Sequence, residues 1–304
     1  MIAALVGPTA SGKSDAAMLV AERVGAEIVA VDSMQVYRRM DIGTAKPDAA
    51  DQARVPHHMI DLVDPIDSYS VAEFQAAGRR VLEDLALRGV PALVVGGSGL
   101  HFRALVDPLE FPASDPEVRA EVDALEAADA AGALLKADPA AGNHVDMANP
   151  RRVARALEIY RLSGATPSGR AANPEAGAVR RYRPSIPFVG TILDPGGRLL
   201  ERVEERFGRM MERGLLDEVT SLAPRIGRTA SQAAGYKQLL RVVAGEWTLD
   251  EGVRRAVDAT RALAGRQRTY FGKDPRLTRI EWQDDPSRRA DGLLAVLEEA
   301  GWTS

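Results

Sequence analysis

Cysteine is missing altogether from the 304-residue sequence. That absence excludes disulfides, thiolate zinc sites and a cysteine nucleophile, and it fits a reducing compartment. Also missing is any run of about 18 apolar residues, so no membrane-spanning helix is expected. The opening residues Met1 to Val6 form an apolar run that Gly7 ends, with no basic leader or small-residue cleavage site. We therefore expect a cytoplasmic protein rather than a secreted one. Positive charge is not in excess either: 39 Lys and Arg face 43 Asp and Glu, a net charge of −4. Taken alone, that balance argues against a nucleic-acid binder, unless arginines gather on particular faces. No repeat or low-complexity tail stands out, and the alanine-rich stretch from Asp123 to Gly142 reads as genomic GC bias plus helix propensity. What is present, 45% hydrophobic and 27% charged residues, is ordinary for a globular chain able to bury a sizeable core in one or two domains.

Short apolar runs alternate with helical patterns over the first hundred or so residues. Ile2 to Val6, Ala26 to Val31 and Pro91 to Val95 read as buried strands, and Ser14 to Val24 and Val71 to Arg88 as helices. Fully apolar strands alternating with helices imply an α/β fold whose parallel sheet is covered on both faces. A fourth strand is expected much later, at Phe188 to Leu193. Between them the texture changes. Ser114-Asp115-Pro116-Glu117 reads as a helix start with a capping-box pair, and Asn149-Pro150 opens another helix with Val153, Leu157 and Tyr160 on one face. We expect a core of residues 1–110 plus 181–304, and an inserted helical lobe over 111–180. Long helices should follow at Gly197 to Gly214 and Asp250 to Gly272, and the tail from Lys273 onward should add a strand and a helix.

Gly7-Pro8-Thr9-Ala10-Ser11-Gly12-Lys13-Ser14 fits G-x-x-x-x-G-K-S/T throughout, after a strand and before a helix. The glycines let backbone N–H groups wrap phosphate oxygens, and the helix N-terminus adds favourable partial charge. Lys13 would neutralise a terminal phosphate and the Ser14 hydroxyl would ligate Mg²⁺. A di- or triphosphate ligand is thus expected. Asp32, at the end of the second strand, could hold that Mg²⁺ as in ordinary nucleotide hydrolases, or serve as a general base beside the phosphates; position alone does not separate the two.

The neighbouring motifs do. Asp32-Ser33-Met34-Gln35-Val36-Tyr37, Gly43-Thr44-Ala45-Lys46-Pro47, His57-His58-Met59-Ile60-Asp61 and Val95-Gly96-Gly97-Ser98-Gly99-Leu100 follow in order. Later come Asn149-Pro150-Arg151-Arg152 with Arg155, then Ala234-Gly235-Tyr236-Lys237 and Arg266-Gln267-Arg268-Thr269. This ordered set, from residue 1 to about 272, resembles the tRNA dimethylallyltransferases, bacterial type. The resemblance implies a P-loop NTPase-like core with a tRNA-binding helical lobe. It also implies the reaction: dimethylallyl diphosphate gives its five-carbon group to N6 of adenosine 37 of tRNA, beside the anticodon, and diphosphate leaves.

On that resemblance the phosphate loop (Gly7, Thr9, Ala10, Ser11, Gly12, Lys13, Ser14) holds the diphosphate, and Asp32 takes the proton of the attacking amine. Ser98 stands where family members usually carry threonine, and its hydroxyl would contact the diphosphate or the base. Arg119 matches a position contacting tRNA or diphosphate. Ser33, Met34 and Gln35 would read the extruded adenine, with Tyr37 helping or simply capping the core. Arg151, Arg152 and Arg155 at a helix start, with Gln232, Gly235, Tyr236 and Lys237, would grip the anticodon stem-loop. His57-His58 lack the partners of a metal site and suit a structural or tRNA-proximal place. Arg198, Arg202, Arg206, Arg209 and Arg213 make a basic helical stripe, explained either by RNA or by pairing with Glu201, Glu204 and Glu205. Mg²⁺ is the implied cofactor, and we expect a monomer. Rival readings are an enzyme that prenylates free adenine nucleotides, a small-molecule kinase, and a non-catalytic RNA binder.

Overall fold

Residues 1–302 are described by the structure, a computed structural model. Two compact units emerge: Met1–Val106 with Ile186–Ser304, and Asp107–Ser185. The lobe boundaries thus fall a few residues outside the 111–180 expected from sequence.

In the larger unit the chain runs β1 (Ile2–Val6), α1 (Lys13–Val24), β2 (Glu27–Val31), α2 (Ala49–Arg54), β3 (His57–His58), α3 (Val71–Leu87), β4 (Ala92–Gly96) and α4 (Gly99–Val106). The smaller unit supplies α5 (Pro116–Asp123), α6 (Ala127–Ala137), α7 (Pro150–Ser163), α8 (Pro167–Ala171) and α9 (Pro174–Arg180). The chain then returns with β5 (Phe188–Leu193), α10 (Leu199–Glu212), α11 (Leu215–Leu222), α12 (Tyr236–Val243), α13 (Leu249–Phe271), β6 (Leu277–Ile280) and α14 (Pro286–Glu299).

All six strands pair in parallel, in the order β3-β2-β4-β1-β5-β6. Side chains alternate across the sheet, and both faces are buried, which is why the strands read as unbroken apolar runs. Ala4, Val6, Val29, Val31 and Val94 enter one core with Phe74, Phe102 and Phe271. Ala3, Leu5, Ile28, Leu93 and Val95 enter the other, against α1 and α14. Four strands match the sequence reading to within a residue or so. The two-residue β3 was not foreseen, and it is too short to leave a periodic signal. The tail forms the expected strand and helix, and β6 joins the main sheet beside β5.

The smaller unit packs Val122, Ala130, Leu134, Val153, Ala156 and Leu157 into its own core. Asp115, rather than Ser114, caps α5, accepting from the backbone N–H groups of Glu117 and Val118. Ser114 instead donates to Glu158, a fully buried carboxylate on α7.

The segment after β2 carries no regular structure between Asp32 and α2, yet it is tightly bound. Glu218 of α11 accepts the backbone N–H groups of Asp41, Ile42 and Gly43 at 2.9, 2.8 and 3.1 Å, and the hydroxyl of Tyr236 as well. Lys46, buried, donates to the Tyr37 carbonyl and to the carboxylates of Asp41 and Asp61. Hydrogen bonds to a charged acceptor are the strong kind, so Glu218 acts as the peg of this loop. Replacing Glu218 with Ala should destabilise the larger unit by roughly 2 to 4 kcal/mol, from the loss of several charge-assisted bonds. Urea unfolding followed by tryptophan fluorescence reads this directly; an unmoved midpoint would mean the loop holds itself.

Candidate functional site

Strand β1 delivers the chain to the phosphate loop, and the loop's shape is forced by contact. At Gly7 (φ 156°) a Cβ would lie 2.3 Å from the Leu193 carbonyl oxygen of β5, so no larger residue fits the crossing. Gly12 (φ 81°) precedes α1 in the left-handed region, and no side chain caps that helix. The first-turn N–H groups, which have no intrahelical acceptors, are left for an anion. Ala10 is a non-glycine residue at φ 62°, a strained conformation of the kind that recurs at binding loops.

A cavity of about 610 Å³ opens over this loop, lined by Thr9, Ala10, Gly12, Lys13, Ser14, Asp32 and Gln35 among others. The sequence-expected donor and base residues are therefore brought together. Gly7 and Ser11 sit behind the surface, both buried. The Thr9 backbone N–H is already spent, donating to Gln267 Oε1 at 2.8 Å. Thr9 itself lines the cavity.

Burial pushes the Lys13 ammonium down to about 8, and neighbouring Arg206 adds to the shift while Asp32 partly opposes it. The Asp32 Oδ1 accepts the Met34 N–H at 2.8 Å, an Asx-turn that fixes the carboxylate after β2. Gln35 donates its amide to the carbonyls of Thr44 and Ala45 at 3.1 and 3.2 Å, so the loop pegged by Glu218 orients it. Asp32 and Met34 also line a second, smaller space of about 80 Å³, walled by Val203, Phe207, Met210 and Leu215.

Helix α10 supplies what the sequence left ambiguous. Arg202, Arg206, Arg209 and Arg213 all line the larger cavity. Phe207 and Met210 face the core, and the four arginines share the flank that looks onto the phosphate loop. Arg202 donates to the Ala10 carbonyl at 2.8 Å. Only Arg198 departs from the row, pairing with Asp284 at 2.6 Å. The stripe is thus chiefly a wall of this cavity, and pairing with the helix's own glutamates is confined to Arg198 with Glu201 and Arg209 with Glu205, at 3.5 and 3.9 Å.

Ser98 lies at the end of β4, its N–H on the Val31 carbonyl and its hydroxyl 2.7 Å from Nδ1 of His101. Burial lowers the His101 pKa against the pull of Asp32, so the ring is neutral at physiological pH. Sequence reading missed His101, which carries no signal until α4 turns it back onto Ser98.

Several expected RNA contacts sit elsewhere. Tyr236 is fully buried, its ring against Gly43 and its hydroxyl on Glu218, so it is a core residue and presents nothing to RNA. Gly235, also buried, makes the left-handed turn that starts α12. Arg119 and Arg155 converge on the buried Glu158 at 3.1 and 2.8 Å. Burial pushes that carboxyl up, but the Ser114 hydroxyl and the two guanidiniums more than offset it and hold its pKa below the usual range. Both arginines are thereby committed to the smaller unit's own structure, and Arg155 also donates to the Pro112 carbonyl at 2.6 Å. Arg151 and Arg152 are exposed on the first turn of α7, Arg152 loosely paired with Asp146 at 3.4 Å. Gln232 and Lys237 are exposed on the larger unit, and Ser33 is half-buried beside Asp32. Tyr37 is fully buried and His58 pairs with Glu27 at 2.6 Å, so both serve the core.

Among the described residues no group of three or more His, Cys, Asp or Glu could hold a metal. Mg²⁺, however, often rests on one or two protein oxygens and completes its shell with substrate phosphates and water. The Ser14 hydroxyl, on the cavity, is an oxygen of that kind.

Comparison with known proteins bears on the whole chain. A family model described as IPP transferase matches residues 35–274, and one described as isopentenyl transferase matches residues 1–61. The tRNA dimethylallyltransferase of Bifidobacterium longum (strain NCC 2705) is 41% identical over 98% of this chain and 91% of its own length. That of Acidothermus cellulolyticus is 43% identical over 100% and 95%. Among solved structures, the full-length tRNA isopentenylpyrophosphate transferase of Bacillus halodurans superposes with a TM-score of 0.70 at 32% identity, covering 99% of this chain and 97% of that one. Its P-loop NTPase-like arrangement is the one described above. From the phosphate loop through α14, the chain belongs to the tRNA dimethylallyltransferase family, the IPP transferases.

Proposed function

We propose that this enzyme transfers a dimethylallyl group from dimethylallyl diphosphate to N6 of adenosine 37 of tRNA, releasing diphosphate. The observation that carries the reading is the meeting, in one cavity, of an uncapped phosphate loop with its cations and a fixed carboxylate. The site asks for a polyanion on one side and a proton donor on the other. An allylic diphosphate and an amine supply both.

The allylic C1–O bond breaks as negative charge builds on the diphosphate. Lys13, Arg206 and the α1 N-terminus are positioned to stabilise that charge before it appears, so little reorganisation is needed. Magnesium, held by Ser14 with water and phosphate oxygens, would add to this neutralisation. The N6 lone pair forms the new bond to C1, and Asp32 accepts the N–H proton that the nitrogen must lose. The Met34 N–H keeps Asp32 aimed. The five-carbon group suits the small apolar space bounded by Phe207, Met210 and Leu215, where water is kept from the allylic cation. Gln35, oriented through its NH₂, leaves its carbonyl oxygen free for the amine, and we assign Ser98 a contact with the diphosphate or the base.

For the RNA, exposed Arg151 and Arg152 at the start of α7, with Gln232 and Lys237, are the residues we assign to phosphate contact. Arg119, Arg155 and Tyr236 are left out, because their side chains are engaged in the fold. We expect the enzyme to work as a cytoplasmic monomer. No helix of the described residues is long and apolar enough to cross a membrane.

Three tests follow from the site. Purified protein should move label from dimethylallyl diphosphate to an anticodon stem-loop carrying adenosine at position 37, and not to AMP. Equal labelling of AMP would point to a free-nucleotide enzyme, and ATP consumption to a kinase. Asp32→Asn should lower turnover about 10² to 10⁴-fold while stem-loop affinity stays within twofold; turnover near that of the parent would remove Asp32 from the base role. The third concerns Lys13. Its depressed pKa means the free enzyme loses a binding charge as pH rises through about 8. Inorganic diphosphate should therefore bind with proton uptake above that pH, and less tightly. Calorimetry in buffers of different ionisation heat measures the uptake, and Lys13→Met supplies the profile without it. Identical profiles for the two proteins would show that Lys13 does not titrate there.

A further inference from the structure

The carboxy-terminal strand and helix lie beyond the segment matched by the IPP transferase model, which ends at residue 274, yet residues of this segment touch the phosphate loop. Trp282, just after β6, donates its indole N–H to the Ser11 carbonyl at 2.8 Å. Three guanidiniums surround that indole: Arg202 at 5.0 Å, Arg198 at 5.5 Å and Arg289 at 5.7 Å from the ring centroid. Arg289, on α14, is only 2% exposed. It donates to the carbonyls of Gln283 and Asp284, and its Nη2 is 3.6 Å from Asp15. A Cβ on Gly12 would lie 2.9 to 3.2 Å from the Nη2, Cζ and Nε atoms of that guanidinium, so it rests flat on the loop backbone.

Two physical arguments give these contacts a purpose. A trans peptide is planar, with its C=O and the following N–H pointing opposite ways. Holding the Ser11 carbonyl outward therefore holds the Gly12 N–H inward, where a phosphate oxygen would be met. The second argument is cost. Arg289 is buried with its Nε making no hydrogen bond. Its ion pair, with Asp15 at 3.6 Å, is long, and a buried charge so paired is weak evidence of a purely stabilising role. Placed directly behind Gly12, it adds positive potential to the anion site without touching the anion.

We propose that Trp282 and Arg289 are positioning residues of the diphosphate site, the first orienting the Ser11–Gly12 peptide and the second supplying a buried charge behind it. The carboxy-terminal unit thereby sets how tightly the donor is held. This rests on the reading of the cavity as a diphosphate site.

The test uses the full chain with Trp282→Phe, Arg289→Met and, as a packing control on the same helix, Leu297→Ala. Inorganic diphosphate affinity is measured by calorimetry, KM is measured separately for the allylic donor and the stem-loop, and Tm is recorded for each. Loss of one hydrogen bond should weaken diphosphate binding and raise donor KM about fivefold in Trp282→Phe. Arg289→Met should do so about tenfold, with Arg289→Lys recovering part of the loss. Stem-loop KM should stay within twofold throughout. Leu297→Ala, which opens a hole in the α1–α14 core, should lower Tm and leave diphosphate affinity alone. Parent protein that binds diphosphate while both variants bind it equally well would overturn this inference alone. So would diphosphate losses that simply track Tm across all three sites. Parent protein that fails to bind diphosphate would overturn the proposed function together with it. If Arg289→Met does not fold, Trp282→Phe decides the matter.

Discussion

Positive charge held in a partly buried cavity, short of the carboxylates that would neutralise it, is what the rest of this structure supports. Lys13 and four arginines of α10 face one space, and the Lys13 pKa is depressed by burial and by Arg206. Charges so placed repel one another and would normally be paired or pushed into solvent. The scaffold keeps them in place by other means. Phe207 and Met210 anchor α10 in the core, and the indole of Trp282 offers a π face to Arg198, Arg202 and Arg289. The cavity is thus built at the expense of local comfort, which the diphosphate proposed to bind there would relieve.

Around that charge, two loops are fixed by contacts from far along the chain. The phosphate loop is gripped by Gln267 at Thr9, Arg202 at Ala10 and Trp282 at Ser11. The loop after β2 is pegged by Glu218, whose four hydrogen bonds transmit rigidity through Thr44 and Ala45 to Gln35. Asp32 stands between the two, on the end of a central strand. On the mechanism proposed above, the base and the loop that meets the leaving anion gain from the same property: neither has to rearrange when the reaction begins.

Much of this was legible beforehand. Strands β1, β2, β4 and β5, helices α1, α3, α10 and α13, and the loop-and-carboxylate pairing all follow from local patterns, because burial on both sheet faces and the phosphate-loop spacing leave marks over a few residues. Other parts were not legible. Arg119 was expected to contact tRNA or diphosphate from the family resemblance and Arg155 to contact RNA from its place in the first turns of a helix, and only the fold shows the carboxylate of Glu158 between them. Tyr236 lies in a motif of the resembling family, but its ring is needed against Gly43. His101 drew no attention, as one histidine in a helix has no signature without the hydroxyl it meets.

The division follows from the range of the forces involved. Chain geometry and solvent exclusion act between near neighbours, so the sequence by itself determined the parallel α/β core, the lobe inserted into it, and the phosphate loop with Asp32 close behind. Pairing of charges is settled by whatever another segment brings within a few ångströms. Tertiary structure alone therefore decided which arginines line the cavity, which are consumed in holding the fold, and that residues 282 and 289 stand behind the phosphate loop near the start of the chain.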